Sequence, residues 1–398
     1  MTPDSDTSHW GSRAYFGLIF IYHTPIYTGT TMKTKHVRER LSRLLIVLGC
    51  VGIAAAPVQA QKDSVDLFMQ QAMTKHHIPG AAVAVVKNGK ILKVKTYGYA
   101  NLAWQNPVTP ETPFQLASGT KPLTGTLLGV LLQEGKLSLD DKVSKYLDSI
   151  PDAWKTITIR QLAAHQSGIK LVPLETTKTI QEGLKTAAAY PMEYEPGTKE
   201  FYVSSDYLLL QHIIAKVTGL SFTEALRQKV LVPLKMADTQ FSLTQDDGLF
   251  RTARVIPKVA EVYSWSKDHY SVSDMRFPDW FYAAGGAYSS IRDLANMMVA
   301  YDKNTLLKPE TKNLLYSRVK LLNGADTHWG IGWLIENYQG HTLINHSGGP
   351  ALSDIDYFPK EGLSVVVLTN ARGGFPPYLA RAIARYYIPG LKMPQLPN

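Results

Sequence analysis

The chain of 398 residues is 45% hydrophobic and 19% charged, which supplies a sizeable core and excludes the disordered and collagen-like classes. Its formal net charge is +9; residues 1–60 hold six Lys/Arg and three Asp/Glu, leaving +6 for residues 61–398. That excess is scattered without a basic run, so nucleic acid is not an expected partner.

Residues 32–60, "MKTKHVRERLSRLLIVLGCVGIAAAPVQA", run from a basic stretch through the apolar segment Leu44 to Ala56 to the small-x-small end Val58-Gln59-Ala60. This is the layout of a secretory signal peptide beginning at Met32 and cleaved after Ala60. The apolar run is too short for a comfortable membrane span. The expected location is therefore periplasmic or secreted, with no stable span after signal removal. Residues 1–31 show neither caps nor a clear period and would displace the signal from the N-terminus, so they read as a non-native upstream extension; a cytoplasmic extension of a signal anchor is the alternative. Cys50, the single cysteine, lies inside the apolar run, which leaves residues 61–398 without a thiol nucleophile, thiolate zinc or disulfide.

After Gln61 a helical pattern (Val65, Leu67, Phe68, Met73) ends at "HHIPG". The adjacent His76 and His77 point in different directions on a helix and read as a helix end, not as metal ligands. "AAVAVVKNGKILKVKTYGYAN" then gives two strands joined by Asn88-Gly89, a strong hairpin signal. From about Thr120 to Asp302 the period is mostly helical. The C-terminal third returns to strands in "HWGIGWLIENY", "HTLINHS", "ALSDIDYFP" and "LSVVVLTNA", followed by a helix from Pro377 to Tyr387. Strands at both ends with helices between predict an α+β fold in a single domain over residues 61–398. One antiparallel sheet is built from the N- and C-terminal segments with flanking helices, and a mostly helical lobe is inserted at approximately 120–285. A cleft between sheet and lobe is the expected pocket.

The spacing S-x-x-K occurs four times, at Ser118/Lys121, Ser167/Lys170, Ser264/Lys267 and Ser317/Lys320, so spacing alone decides nothing. Only Ser118 follows an apolar approach, "FQLA", and opens a long helix-like run with Pro122 in its first turn. There serine and lysine share a face at a helix N-terminus, where a desolvated amine can take the hydroxyl proton and the dipole suits a developing oxyanion. The plain reading of Ser118 is an N-cap. No G-x-S-x-G elbow, H-E-x-x-H, phosphate loop or G-x-G-x-x-G competes with it.

Downstream, "EPGTKEFYVSSDYLLL" places Tyr202 and Ser204 just before an apolar helix, and "HTLINHSGGP" places His346-Ser347-Gly348 at a strand end. Serine-lysine, Y-x-[polar] and [K/H]-[S/T]-G in this order resemble the serine β-lactamase and penicillin-binding protein superfamily. The likeness is closer to its class C branch, with D-alanyl-D-alanine carboxypeptidases, D-aminopeptidases and esterases. "IPGAAVAVVKNGKIL", "LAAHQSG", "AAGGAYSSIRDLANMM" and "GLSVVVLTNA" extend the likeness from about Val65 to Ala384.

The resemblance implies Ser118 as nucleophile, Lys121 as its proton acceptor and Tyr202 as the partner that passes the proton to the leaving group. It implies that His346, with Ser347 and Gly348, lines the far wall and binds an anionic end of the substrate, and that the backbone N–H groups of Ser118 and Gly349 form the oxyanion hole. No metal or organic cofactor is called for; the partner is a small-molecule or peptide acyl substrate. Ser204 stands where the family usually has asparagine. Its hydroxyl cannot reproduce an amide's fixed donor and acceptor, which shifts weight toward esters, while capping the next helix is an equal reading of it. Taken alone, Tyr202 is a packing tyrosine, His346 a strand histidine and His165, in "LAAHQSG", structural packing. The readings left open are a β-lactamase and a non-catalytic protein that binds penicillins or cell-wall fragments.

Overall fold

The computed structural model describes residues 63–172, 179–246, 251–350 and 352–396; the upstream extension and signal peptide read from the sequence lie outside the described residues. The first helix, α1 (Ser64–Lys75), starts at Asp63, whose carboxylate accepts the Val65 N–H at 2.8 Å, and it buries Val65, Met69 and Ala72.

Strands β1 (Gly80–Lys87) and β2 (Lys90–Asn101) follow. Asn88 and Gly89 between them both have positive φ, 49° and 67°, as a two-residue hairpin turn needs in order to match the strand twist. With β3 (Asn106–Pro107) and the late strands β4 (Leu334–Tyr338), β5 (His341–Gly348), β6 (Ser353–Phe358) and β7 (Leu363–Thr369) they form one seven-stranded sheet. Its order is β4-β5-β6-β7-β1-β2-β3, and each neighbouring pair is antiparallel. β1 pairs with β7 at Val83 opposite Val367, which joins the N- and C-terminal strands at the centre of the sheet.

These central strands are apolar at nearly every position because both faces are covered. Ala82, Ala84, Val366 and Leu368 face the larger core under the inserted helices, whereas Ala81, Val83, Val365 and Val367 face a second core closed by α1 and the last helix, α6 (Pro376–Ala384). The insertion supplies α2 (Lys121–Gln133), α3 (Ile159–Ala163) and α4 (Ser205–Thr218), and α5 (Ile291–Lys303) packs on β1. Among the described residues no helix is long and apolar enough to cross a membrane.

Two local differences from the sequence reading have physical causes. The insertion also contains short hairpins, Thr244–Asp246 with Arg251–Ala253 and Tyr263–Ser266 with His269–Val272, whose three- and four-residue strands are too short to show a period. The strand read over "HWGIGWLIENY" begins only at Leu334. Before it, Gly330 to Gly332 run against α2, where a Cβ on Gly332 would lie 2.7 Å from the Lys121 carbonyl and one on Gly125 would lie 2.4 Å from the Ile331 carbonyl.

The second core holds an unusual polar patch. Asp354 and Asp356 project from β6 on the side of α6, fully buried, with Arg381 and Glu336 beside them. Arg381 binds Glu336 at 3.0 Å and lies 3.9 Å from Asp356, while neither Asp354 oxygen has a hydrogen-bond partner. Burial, reinforced by the Asp356 charge, pushes the Asp354 carboxyl well above the carboxylate range, and burial pushes Asp356 up to about 6.

A carboxyl whose pKa is raised in the fold withdraws stability as pH climbs from the unfolded value toward the folded one. Thermal melts of Asp354→Asn beside wild type should therefore diverge in the variant's favour from pH 4 to pH 8. A difference that stays constant over that range contradicts the assignment.

Candidate active site

The serine-lysine pair sits where the chain passes from a short strand into a helix. Phe114–Gln115 pairs with Ala287–Ser289, the 3-10 turn Ala117–Thr120 follows, and α2 begins at Lys121 with Pro122 in its first turn. Ala117 is left-handed, φ 47°, a conformation that costs a non-glycine residue about 1–2 kcal/mol. Neighbours hold it there. Leu116 N–H donates to Ala287 O at 2.9 Å, Thr120 Oγ1 donates to Ala117 O at 2.7 Å, and Ser353 Oγ from β6 donates to Leu116 O at 2.7 Å.

Ser118 is consequently not a cap. It lies inside the 3-10 turn, and neither that turn nor α2 has a side-chain capping bond. Its hydroxyl instead meets two side chains from separate elements: Lys121 Nζ lies 3.4 Å from Ser118 Oγ, and Tyr202 Oη donates to the same oxygen at 2.8 Å. Lys121 is fully buried; its Nζ also donates to Ala284 O at 2.7 Å and lies 4.8 Å and 5.1 Å from the ring centres of Tyr202 and Tyr207. An amino group held over ring faces and against a main-chain carbonyl keeps one direction toward the serine.

Tyr202 comes from the irregular segment before α4. Its ring stacks on Trp329 at 5.2 Å and packs on His165 at 4.5 Å and His346 at 6.2 Å. Ser204 stands at the position before α4, but the capping reading fails. Its backbone is already helical (φ −74°, ψ −20°), and its side chain makes no capping bond, since a cap needs an extended residue.

The wall opposite is the end of β5. His346 is 4% exposed and Ser347 is exposed. Gly348 touches the nucleophile turn so closely that a Cβ would lie 1.9 Å from Leu116 O and 2.5 Å from Ser353 Oγ; a Cβ on Gly119 would likewise lie 2.5 Å from Ser353 Oγ. These glycines set how near β5 comes to Ser118. Gly349, directly after β5, has open space around it.

At His346 the hydrogen bonding selects one tautomer. Its Nδ1 lies 2.8 Å from Ser347 O; a carbonyl only accepts, so Nδ1 carries the proton and Nε2 presents a lone pair. Burial, helped by the Lys121 charge, pushes its pKa down to about 3. A pKa lowered this far favours the neutral ring.

The rival S-x-x-K serines are absorbed elsewhere. Ser167 is buried and donates to Asp206, Ser317 donates to Asn313 O at 2.7 Å, and Ser264 belongs to the hairpin at Tyr263–Ser266. His165 is fully buried as expected of packing, yet it packs on Tyr202 itself, with Nδ1 3.1 Å from Asp206 Oδ2. Asp206 and Trp329 were not singled out from the sequence. An acid within "SSDYLLL" was the available signal for the first; nothing distinguished Trp329 from other core aromatics.

The chain is similar to known proteins over most of its length. A family model described as Beta-lactamase matches residues 65–388. Protein flp of Staphylococcus aureus (strain N315) is 29% identical over 336 residues, 80% of this chain; the chain spans 65% of that relative's length. A protein described as Beta-lactamase from Escherichia coli (strain K12) is 28% identical over 356 residues, covering 86% of this chain and 90% of the relative. Among solved structures, the octameric penicillin-binding protein homologue from Pyrococcus abyssi aligns with a TM-score of 0.68 at 28% identity, over 81% of this chain and 76% of that one. FmtA from Staphylococcus aureus aligns with a TM-score of 0.68 at 26% identity, over 83% and 88%.

Gly348→Ala should push β5 away from the Leu116 carbonyl, at about 1–3 kcal/mol of overpacking, whereas Gly349→Ala adds its methyl to open space. Melting temperatures should fall by a few degrees for the first and stay near wild type for the second. Equal melting for the two would show that the β5 contact is not the tight one.

Proposed function

We propose that this chain, which belongs to the beta-lactamase family, is a serine hydrolase that works through an acyl-enzyme on Ser118. The observation that carries the reading is the convergence of Lys121 Nζ (3.4 Å) and Tyr202 Oη (2.8 Å) on Ser118 Oγ. An alcohol is a weak nucleophile until a neighbouring group takes its proton.

In this reading the reactive form holds Lys121 as the neutral amine: Ser118 Oγ attacks the acyl carbonyl carbon while its proton passes to Lys121 Nζ, the buried partner of the Lys121–Tyr202 pair. The carbonyl oxygen gains the negative charge and is met by the N–H groups of Ser118 and Gly349. Collapse breaks the bond to the leaving group, which takes the proton back through Tyr202 Oη. Water then adds to the Ser118 ester, and its cleavage releases the acid and restores the hydroxyl.

The substrates we assign are D-amino-acid peptides, esters or related acyl compounds, in line with a class C-like branch. Within that set, a neutral His346 with a lone pair at Nε2 and Ser204 in place of asparagine favour the esters and related acyl compounds over peptides, because they offer neither a cation nor an amide partner. A β-lactamase is the second reading, favoured by the relative of that description matched over 90% of its length. The signal-peptide layout of residues 32–60 supports a periplasmic or secreted location, with residues 61–398 as one catalytic domain.

Intact mass of residues 61–398 after a fluorophosphonate probe should show one adduct, absent in Ser118→Ala. A folded wild type that gains none overturns the hydrolase reading in favour of a binding protein. Tyr202→Phe and Lys121→Ala should each slow labelling by about 100-fold or more; rates near wild type would remove them from the proton path. Because burial and Lys121 push the His346 pKa down to about 3, the rate profile between pH 5 and pH 8 should keep its shape in His346→Asn. A limb lost in that variant would show that the imidazole charges in the working range.

A further inference from the structure

Tyr202 has to hold its phenol against Ser118, yet it is 39% exposed and lies in a segment without regular structure. Nothing in its own backbone fixes the ring. One buried residue does so from three directions. The His165 carbonyl accepts Phe201 N–H at 2.8 Å, His165 Nδ1 accepts Val203 N–H at 3.5 Å, and the imidazole packs on the Tyr202 ring with centres 4.5 Å apart. The three contacts fall on consecutive residues, 201 to 203, and hold the tyrosine from both sides along the chain. Left-handed backbone at His165, φ 57°, turns the chain there, between α3 and Gly168.

His165 is in turn held. Its Nδ1, an acceptor toward Val203, lies 3.1 Å from Asp206 Oδ2, so the proton of that contact sits on the Asp206 carboxyl, whose pKa burial raises well above the carboxylate range; Ser167 Oγ donates to the other carboxyl oxygen. Asp206 lies in the first turn of α4 and is fully exposed to no solvent, at 0%. Trp329 closes the box edge-on to His165 at 4.9 Å while it stacks on Tyr202.

We propose that His165, anchored by Asp206, is a positioning residue that sets the Tyr202 hydroxyl on Ser118. The proposal rests on the hydrolase reading and deepens it. Among the described residues no hydrogen bond joins His165 to Ser118; it acts through Tyr202. Displacing a proton-transfer group by about 1 Å can cost 100-fold in rate, so an exposed tyrosine without this clamp would lose most of its contribution.

A double-mutant cycle separates positioning from folding. The rate of fluorophosphonate labelling is measured for wild type, His165→Asn, Tyr202→Phe and the double variant, with thermal melts alongside. His165→Asn should slow labelling by about tenfold or more in the Tyr202 background and change it little in Tyr202→Phe, where there is no hydroxyl left to aim. With an activated ester as substrate, the loss should appear in kcat, with KM within about threefold. His165→Phe keeps a ring on Tyr202 but loses Nδ1, and serves for the same cycle if His165→Asn does not melt cooperatively.

An equal loss in both backgrounds overturns the proposal, as does an undiminished rate in folded His165→Asn. Failure of both His165 variants to fold assigns the residue to stability and also overturns it. Absence of wild-type labelling, by contrast, strikes the hydrolase reading itself.

Discussion

The site depends on one close approach, that of the β5–β6 strand ends to the turn carrying Ser118. Leu116 O receives Ser353 Oγ at 2.7 Å and has Gly348 against its other side, with no room for a side chain. Through that carbonyl the sheet fixes the turn, and the turn fixes the start of α2 and with it Lys121. Close contact of backbone with backbone tolerates little adjustment, because no flexible side chain can absorb a displacement. The sheet is therefore a ruler for the cleft as well as its floor.

Lys121 receives its own constraint from the inserted part of the chain. Ala284 O and two tyrosine rings surround the Lys121 amino group, and these partners are main-chain or aromatic groups from two stretches, Tyr202 to Tyr207 and Ala284. The serine thus lies at a junction: its backbone belongs to the sheet side, while the groups around its hydroxyl belong to the helices. Such a junction works only while both cores keep their register, which the long apolar pairing of β1 with β7 secures.

Much of this was legible in the sequence, and the reasons differ from element to element. The β1–β2 hairpin could be read because Asn88-Gly89 encodes a turn locally, and the central strands because burial on both faces leaves unbroken runs such as "AVAVV". The α+β class followed from strands at both ends. Ser118 stood out from three rival serines by its apolar approach, and the rivals prove to be occupied by Asp206, Asn313 O and a hairpin. What escaped was long-range or conformational. The His165–Asp206 contact joins positions 41 apart, Trp329 reaches Tyr202 from the far end of the chain, and the neutral state of His346 follows from burial and a neighbouring lysine, neither of which has a local signature. The cap readings of Ser118 and Ser204 failed for a related reason: residue type favours a cap, but backbone angles decide it.

The left-handed Ala117 has a consequence for how this protein can be improved. Glycine would occupy that conformation without the methyl's penalty, so the residue just before the nucleophile is a place where the chain is less stable than its own topology allows. The hydrogen bonds from Thr120 and Ser353 make up the difference and, in doing so, remove the freedom glycine would introduce. Glycine at this position would therefore relieve the backbone penalty while the Thr120 and Ser353 contacts still hold the turn one residue away from Ser118.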